Sequence, residues 1–545
     1  MAEADADGTP VTDDSSASAV ARNSMSMAVW TLVSRVTGFG RIAVTGAVLG
    51  PTFLGNTFQA VNSLPNMIVY QLLLGSLFVS LLVPSLVPHV DAGDRRGVER
   101  VAGAFLGMVT AAFLVVSLLA LAAGPLLLRL FALGVDDPAA AAAQRRVGML
   151  LLVMTVPQVI CYGVITTAIA VMNAHGRFTL AAAAPALENV GTMATLLATA
   201  VLYGAEGDVQ NIPLGEVLLL GLGATAAVAL HAGVQVWGVW RLGIRLVPRA
   251  GWREPEVREL TRRVVPSFWF TGLDTSRALV VLGVVNKLPG GVIAFQLATS
   301  LSYLVLALCA TPVGAALLPQ LSRFHFAGRL REFRDALVRG GGLVYFVVMP
   351  AVVAYLIFPD LLAGMVSFGE MATATAVALV AASIVAMAPG ILGDASFQLA
   401  YQASYARQDA RTPLLSQLSG TAASYAGILI AFLIPPGIAV LVVIGLAVSI
   451  GRLVSGWDLT RRLNRTLPKD GERAYPAILR AVGAAVLAAG PAYAAAAAVG
   501  TFLQGRAGQL TQLAVAGVVL IVIYVGVQRM WRSPELRSLM TAFGR

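Results

Sequence analysis

Charge is what this 545-residue chain has least of. Asp, Glu, Lys and Arg make up 12% of it, against about a quarter in soluble domains, while 57% is hydrophobic and the mean hydropathy is +0.79. A core surrounded by water cannot enclose that much apolar surface, so a soluble globular fold is excluded. Histidine (4) and cysteine (2) are also scarce. Cys161 and Cys309 both fall in apolar runs and read as small packing residues, not as a disulfide or metal pair. There is no Gly-x-x-x-x-Gly-Lys loop to cradle phosphates, no His-Glu-x-x-His and no Cys/His cluster. An ATP-driven pump and a membrane metalloprotease are therefore unsupported, and neither cofactor nor metal is expected.

Long apolar runs are what the chain does have. Runs of roughly 20 residues or more, enough to cross about 30 Å of hydrocarbon, occur at 25–50, 56–88, 100–131, 145–173, 179–203, 213–240, 264–287, 291–321, 336–358, 372–400, 412–434, 437–457, 477–500 and 507–528. They are rich in Leu, Ala, Val and Gly without strict alternation, which points to helices and not to a barrel. The expected fold is an all-α polytopic membrane protein of about 14 transmembrane helices. Residues 1–24 are acidic, small and free of aromatics, and are expected to form a disordered cytoplasmic tail; lacking a basic stretch, they are not read as a cleavable signal peptide.

With the N-terminus inside, most of the 38 Lys and Arg fall in loops on the same side. These loops include "DAGDRRGVER", "NAHGRF", the segment 241–263, "SRFHFAGRLREFR", "YARQDART", "TRRLNRTLPKDGER" and the tail from 529. Near the opposite face stand Arg129, Arg145, Arg146, Lys287 and Arg506. The positive-inside rule then places both termini in the cytoplasm. Topology and contact with anionic lipid account for the net charge of +10, and no nucleic-acid partner is expected.

The chain also repeats itself. "FQAVNSLPNMIVYQLLLGSLFVSLLVPSL" at 58–86 is similar to "FQLATSLSYLVLALCATPVGAALLPQL" at 295–321, with a separation of 237 residues (Phe58 to Phe295) that narrows to 235 (Leu86 to Leu321). "NAHGRFTLA" at 173 pairs with "YARQDARTPL" at 405, a separation of 232 (Asn173 to Tyr405). A unit of six helices is even, so both copies enter from one face, related by an axis along the membrane normal and enclosing a cavity. The expected division is a lobe at 25–240, a basic linker at 241–263, a second lobe at 264–460, a cytoplasmic loop at 461–476, two extra helices within 477–528 and a tail at 529–545.

Six motifs in order resemble the MurJ/MviN family of the multidrug/oligosaccharidyl-lipid/polysaccharide flippase superfamily. They are "SRVTGFGR", "LPN" at 64–66, "LVPSLVP" at 82–88, "NAHGRF", "ALLPQLSR" at 316–323 and "YARQDARTP" at 405–413, and together they cover residues 25 to about 460. The resemblance implies two six-helix lobes around a V-shaped cavity, with the last two helices forming a groove for a polyprenyl tail. It implies a multi-pass protein of the bacterial plasma membrane that flips lipid II, the undecaprenyl-diphosphate-linked peptidoglycan precursor, to the outer leaflet without covalent chemistry. A coupling cation (Na+ or H+) or the membrane potential would supply the bias, and membrane lipids and cell-wall synthesis enzymes would be partners. The chain departs from the pattern in three places. The family's acid at the start of the second helix falls on Asn56, its arginines after "LPN" fall near Val69 and Tyr70, and its "ADR" falls on Ala298, Thr299 and Ser300. Three alternatives stay open: a flippase for another lipid-linked glycan or exopolysaccharide, a drug/cation antiporter of the same superfamily, and a non-transporting cell-wall scaffold.

Charges at bilayer depth cost about 2.5–3.5 kcal/mol on insertion scales and usually face a water-filled cavity. Arg35 and Arg41 are the family's first-helix arginines, six residues and about 120° apart on a helix, so one cavity wall has room for both. Gly38 and Gly40 between them permit close packing or a bend. Guanidinium forks suit a diphosphate; the alternative is pairing with a buried acid or snorkelling to an interface. Asp274 and Arg277, at i, i+3, share a face, as a self-compensating pair or with Asp274 holding a coupling cation or proton. Glu188 and Asp394 are further acids, each of which would neutralise a first-lobe arginine or belong to a gating pair. Asn62, Asn66, Gln71, Gln296 and Ser300 offer hydrogen bonds to a glycan or to neighbouring helices. Arg177, Arg407 and Asp409 lie in equivalent turns of the two lobes, as gate contacts or as ordinary turn and topology residues.

Overall fold

A backbone crossing hydrocarbon must satisfy its own N–H and C=O groups, and no strand occurs among the described residues. The structure, a computed structural model, describes residues 14–67, 76–205, 207–251, 254, 272–468, 470–471 and 475–543. Among these residues 12 helices are long and apolar enough to cross a membrane. The two remaining expected spans, 56–88 and 264–287, include undescribed residues and are seen in part.

The first lobe contains α1 (Asp14–Leu49), α2 (Phe53–Pro65), α3 (Ser76–Asp91), α4 (Arg95–Phe131), α5 (Pro138–Thr155), α6 (Gln158–Ala174), α7 (Phe178–Tyr203) and α8 (Leu214–Trp240). The second contains α9 (272–285), α10 (Gly291–Val305), α11 (Thr311–Phe326), α12 (Leu330–Ile357), the short α13 (Pro359–Val366), α14 (Ala374–Ala406), α15 (Arg411–Leu433) and α16 (Ile438–Arg465). Then come α17 (Tyr475–Phe502), α18 (Gly505–Met530) and α19 (Pro534–Phe543). Residues 14–24, expected as disordered, are instead the first turns of α1. No Gly or Pro stands between Val11 and Thr37 to stop the helix, and an acidic start suits its N-terminal dipole. Residues 1–13 lie outside the described set.

A helix widens beside a proline in each lobe. The backbone takes π geometry at 66–67, just after Pro65, and again at Leu306–Ala310, just before Pro312. Proline removes a donor and crowds the preceding turn, and a widened turn accommodates both effects. α17 and α18 pack on α12 through Phe346, Met349 and Val353, against an alanine stripe (Ala481, Ala484, Ala485, Ala488, Ala492) that lets the helices approach closely. The C-terminal α19 docks on α17, where Arg480 Nη2 donates to Glu535 Oε1 at 2.8 Å.

The lobes join at the end of the bundle where α1 stops and α2 begins, the distal end. Asn56 Nδ2 donates to Asn286 Oδ1 (3.0 Å) and to Leu288 O (2.7 Å), while its Oδ1 accepts from Val292 N (3.1 Å). Gln144 and Asn286 exchange two further amide hydrogen bonds, and Asn286 Nδ2 also reaches Phe131 O at 3.0 Å. The family acid would accept from Val292 but could not donate to Asn286 and Leu288, so the amide at 56 fits this joint. Gly290 adopts φ +74°, and a Cβ there would lie 2.5 Å from Pro51 Cα, so only glycine brings the lobes this close. One turn deeper, Gln59 Nε2 donates to Gln296 Oε1. These two are repeat mates, 237 apart, and a residue can touch its own mate only near the axis relating the lobes.

Candidate functional site

Inward of this joint lies a cavity of about 230 Å³ walled by both lobes. α1 contributes Arg41, α2 contributes Asn62, Ser63 and Asn66, and α6 and α7 contribute Tyr162 and Glu188. The second lobe adds Asp274 and Arg277 from α9, Gln296, Thr299, Ser300 and Tyr303 from α10, and Arg452 from α16. A smaller adjoining cavity of about 210 Å³ shares Asp274, Arg277, Tyr303 and Arg452 and extends to Asp394 and Gln417.

Arg35 and Arg41 of α1 part company. Arg41 is half-buried in the cavity wall, and its buried Nε has no hydrogen-bond partner among the described residues. Arg35 is exposed and absent from the lining. The helix runs unbroken through Gly38 and Gly40, so their 120° separation is kept and one wall does not present both. The glycines serve packing, since a Cβ on Gly38 would meet Asn189 Nδ2 at 3.4 Å and one on Gly40 would meet Met193 Sδ at 3.7 Å, both on α7.

The acids are already partnered. Arg277 Nη2 donates to Asp274 Oδ1 across one helical turn. Arg452 Nη1 lies 2.8 Å from Asp394 Oδ2, with its guanidinium 5.5 Å above the Tyr303 ring. Glu188 accepts from Tyr162 Oη at 2.9 Å and lies 2.9 Å from His231 Nδ1. Asp274 compensates Arg277 on its own helix, while Asp394 faces Arg452 of α16, a second-lobe arginine and not the first-lobe partner expected from the sequence.

Asn62, Asn66, Gln296 and Ser300 all reach the cavity; Gln71 lies outside the described residues. Arg177 is exposed in the turn between α6 and α7. Arg407 Nη1 donates to Thr466 Oγ1 at 2.6 Å, and Asp409 Oδ1 caps α15 by accepting from Arg411 N (3.1 Å) and Thr412 N (3.0 Å). These contacts of Arg407 and Asp409 stay within the second lobe. Although burial opposes it, hydrogen bonds from Thr412 and Arg411 and the nearby Arg407 charge hold the Asp409 carboxyl below its usual range.

Sequence reasoning missed Arg452, Tyr162, Tyr303 and His231. Arg452 interrupts an apolar run as Arg41 does, and that signal would have found it. The aromatic and imidazole groups carry no such mark. The described residues contain no cluster of His, Cys, Asp and Glu able to hold a metal. What the cavity offers is a row of guanidinium groups beside amides and hydroxyls, a surface suited to a charged, glycosylated headgroup.

The family profile described as "Lipid II flippase MurJ" matches residues 46–510. Among curated relatives, a "Probable lipid II flippase MurJ" of Rhizobium tropici is 25% identical over 386 residues, covering 70% of each chain. A "Lipid II flippase MurJ" of Burkholderia cenocepacia is 23% identical over 387 residues, covering 71% of this chain and 73% of that one. Among solved structures, "Lipid II flippase MurJ, inward closed conformation" superimposes with a TM-score of 0.71 at 15% identity, over 93% of this chain and 99% of that one. An inward-facing MATE-family multidrug transporter of the MOP superfamily follows at 0.60 and 12% identity, over 81% and 96%.

Proposed function

Because the chain belongs to the lipid II flippase MurJ family, we propose that it carries lipid II, a polyprenyl-diphosphate-linked cell-wall precursor, from the inner to the outer leaflet for peptidoglycan synthesis. The observation that carries the reading is Arg41, a guanidinium on the wall of an inter-lobe cavity with a buried nitrogen awaiting an acceptor. Its fork would hold the diphosphate, with Asn62, Asn66, Gln296 and Ser300 within reach of sugar hydroxyls and amides. With both termini in the cytoplasm, as the loop charges favour, the hydrogen-bonded joint closes the outer side and the cargo enters from the inner leaflet. Transport then consists of breaking this joint and forming another at the opposite end, a rigid-body exchange without covalent chemistry or cofactor. The membrane potential, about 2.3 kcal/mol per charge per 100 mV, or a cation gradient supplies the bias.

Thr299 and Ser300 line the cavity where the family pattern carries charge, which favours a second reading: a lipid-linked glycan with a differently charged headgroup. Labelled lipid II in proteoliposomes tests the first reading. Transfer should need both an imposed potential or ion gradient and Arg41, and its absence with folded protein refutes the assignment. Rescue of a strain depleted of its lipid II flippase separates the two cargoes.

A further inference from the structure

Behind the first-lobe wall stands a cluster that the transport reading does not use. His231 of α8 is 3% exposed and does not itself line the cavity; Glu188, which does, lies between it and the cavity. Its Nδ1 is 2.9 Å from Glu188 Oε2, and its Nε2 is 3.4 Å from Gln235 Nε2, one turn further along α8. With the imidazole neutral, Nδ1–H donates to the carboxylate and Nε2 accepts from the Gln235 amide. With the imidazole charged, Nε2–H needs an acceptor. Gln235 Oε1, buried and without a hydrogen-bond partner among the described residues, becomes that acceptor by a half-turn of its amide. The imidazole therefore has a partner for each ring nitrogen in both protonation states without any helix moving.

The surrounding charges make that proton consequential. Around the two cavities stand Arg41, Arg277 and Arg452 against Glu188, Asp274 and Asp394, three of each sign. Among the described residues these cancel, so the state of His231 decides whether this set is neutral or carries one net positive charge. The ionisable groups nearest to His231 are Glu188 from α7, Tyr162 and Cys161 from α6 and Arg41 from α1. α2 contains no ionisable residue, and Arg145 and Arg146 of α5 are exposed at the distal end, where Arg146 donates to Gln210 O at 3.2 Å.

We propose that His231 and Glu188 form a proton-binding site that sets the charge of the cavity: a proton taken up at His231 offsets the Glu188 carboxylate and removes its repulsion of an anion held at the Arg41 guanidinium. That the anion is a diphosphate lipid rests on the function proposed above; that the site binds a proton does not. Linkage makes the effect reciprocal, so the anion also strengthens proton binding.

Full-length protein in nanodiscs, labelled with ¹⁵N at histidine, presents only four imidazoles, and His231→Gln identifies the relevant one. The His231 signal should pass from neutral to charged as the pH is lowered. Saturating undecaprenyl diphosphate should move that transition to higher pH. In parallel, affinity for this lipid in the wild type relative to H231Q should rise about three- to tenfold from pH 8 to pH 6, the effect of one unit charge at about 10–15 Å in a partly solvated site, the H231Q series taking out the ionisation of the lipid's own terminal phosphate. A signal that remains neutral to pH 5, or charged to pH 9, overturns the proton site. A pH dependence of affinity that survives unchanged in H231Q overturns the link to the cavity. If the wild type binds the lipid at no pH, the proposed function and the link both fall, while the titration still decides the proton site. Should H231Q not fold, Glu188→Gln serves instead: it removes the carboxylate, so His231 should titrate at lower pH, and an unshifted titration overturns the pairing.

Discussion

Asp394→Asn isolates the worth of the second-lobe ion pair. Arg452 is 7% exposed and Asp394 24%, 2.8 Å apart, so the substitution leaves a guanidinium in the wall without its nearest carboxylate, while the Tyr303 ring at 5.5 Å and the Asp274 charge stay in place. Breaking a buried pair from one side costs about 3–5 kcal/mol, and the partial exposure of Asp394 and the contacts that remain put the loss at or below the low end, about 2–3 kcal/mol. Arg452→Met leaves an aspartate that cavity water reaches more easily, and should cost about 1–2. The double variant strands no charge and should lie within about 1 kcal/mol of the wild type. The cycle thus predicts a coupling of about 3 kcal/mol, roughly a hundredfold in the folding equilibrium. Denaturant unfolding in detergent, followed by tryptophan fluorescence, measures all four proteins. A double variant as unstable as the two single losses added together would refute the claim that each group is there to neutralise the other.

Arg41→Ala should weaken binding of undecaprenyl diphosphate by about 10–100-fold, through loss of charge-assisted hydrogen bonds worth about 1.5–3 kcal/mol, while Arg35→Ala changes it less than about threefold; isothermal titration in nanodiscs compares them. Asn56→Leu removes three hydrogen bonds of about 1 kcal/mol each and should populate a distally open state, seen as a longer spin-label distance across the joint. A Cβ at Gly46 would stand 2.7 Å from Met371 Cγ, so a disulfide between G46C and M371C should lock the distal end and stop lipid II transfer until it is reduced. Asp409 has a depressed folded pKa, so its contribution to stability is complete above its unfolded pKa and fades as pH falls through the lower folded value. Stability of Asp409→Asn should therefore depend less on pH in that acidic range than that of the wild type.

The helical architecture and the repeat were open to reading because both are written in long patterns. Apolar runs must match bilayer thickness, and the Phe-Gln pair at 58 and 295 marks positions that face each other across the axis. Arg41, Asn62, Asn66, Gln296, Ser300, Glu188, Asp274 and Arg277 were identified as polar residues stranded in apolar runs, and the fold gathers them around one cavity. Arg35 carried the same signal yet stands outside it, because sequence gives the angle between two side chains but not which direction faces the other lobe. His231 and Tyr162 escaped notice because each acts through a neighbour on another helix, and such pairings across helices leave no periodicity. Residues 14–24 show the opposite failure: a polar, acidic composition suggested disorder, but an uninterrupted run without glycine or proline extends the helix.

The joint at Asn56 has a further consequence. Its members, Asn56, Gln144 and Asn286 with the carbonyls of Phe131 and Leu288 and the amide of Val292, are all neutral. The amides themselves carry no charge for the membrane field to pull, and Lys287, which packs beside them on Gly134 of the first lobe, is tied by its Nζ to the Phe432 and Ile434 carbonyls of its own lobe. Breaking the amide bonds should therefore depend only weakly on voltage and salt. Stronger sensitivity should then enter through the cavity, which separates the part of the molecule that senses conditions from the part that holds the distal end shut.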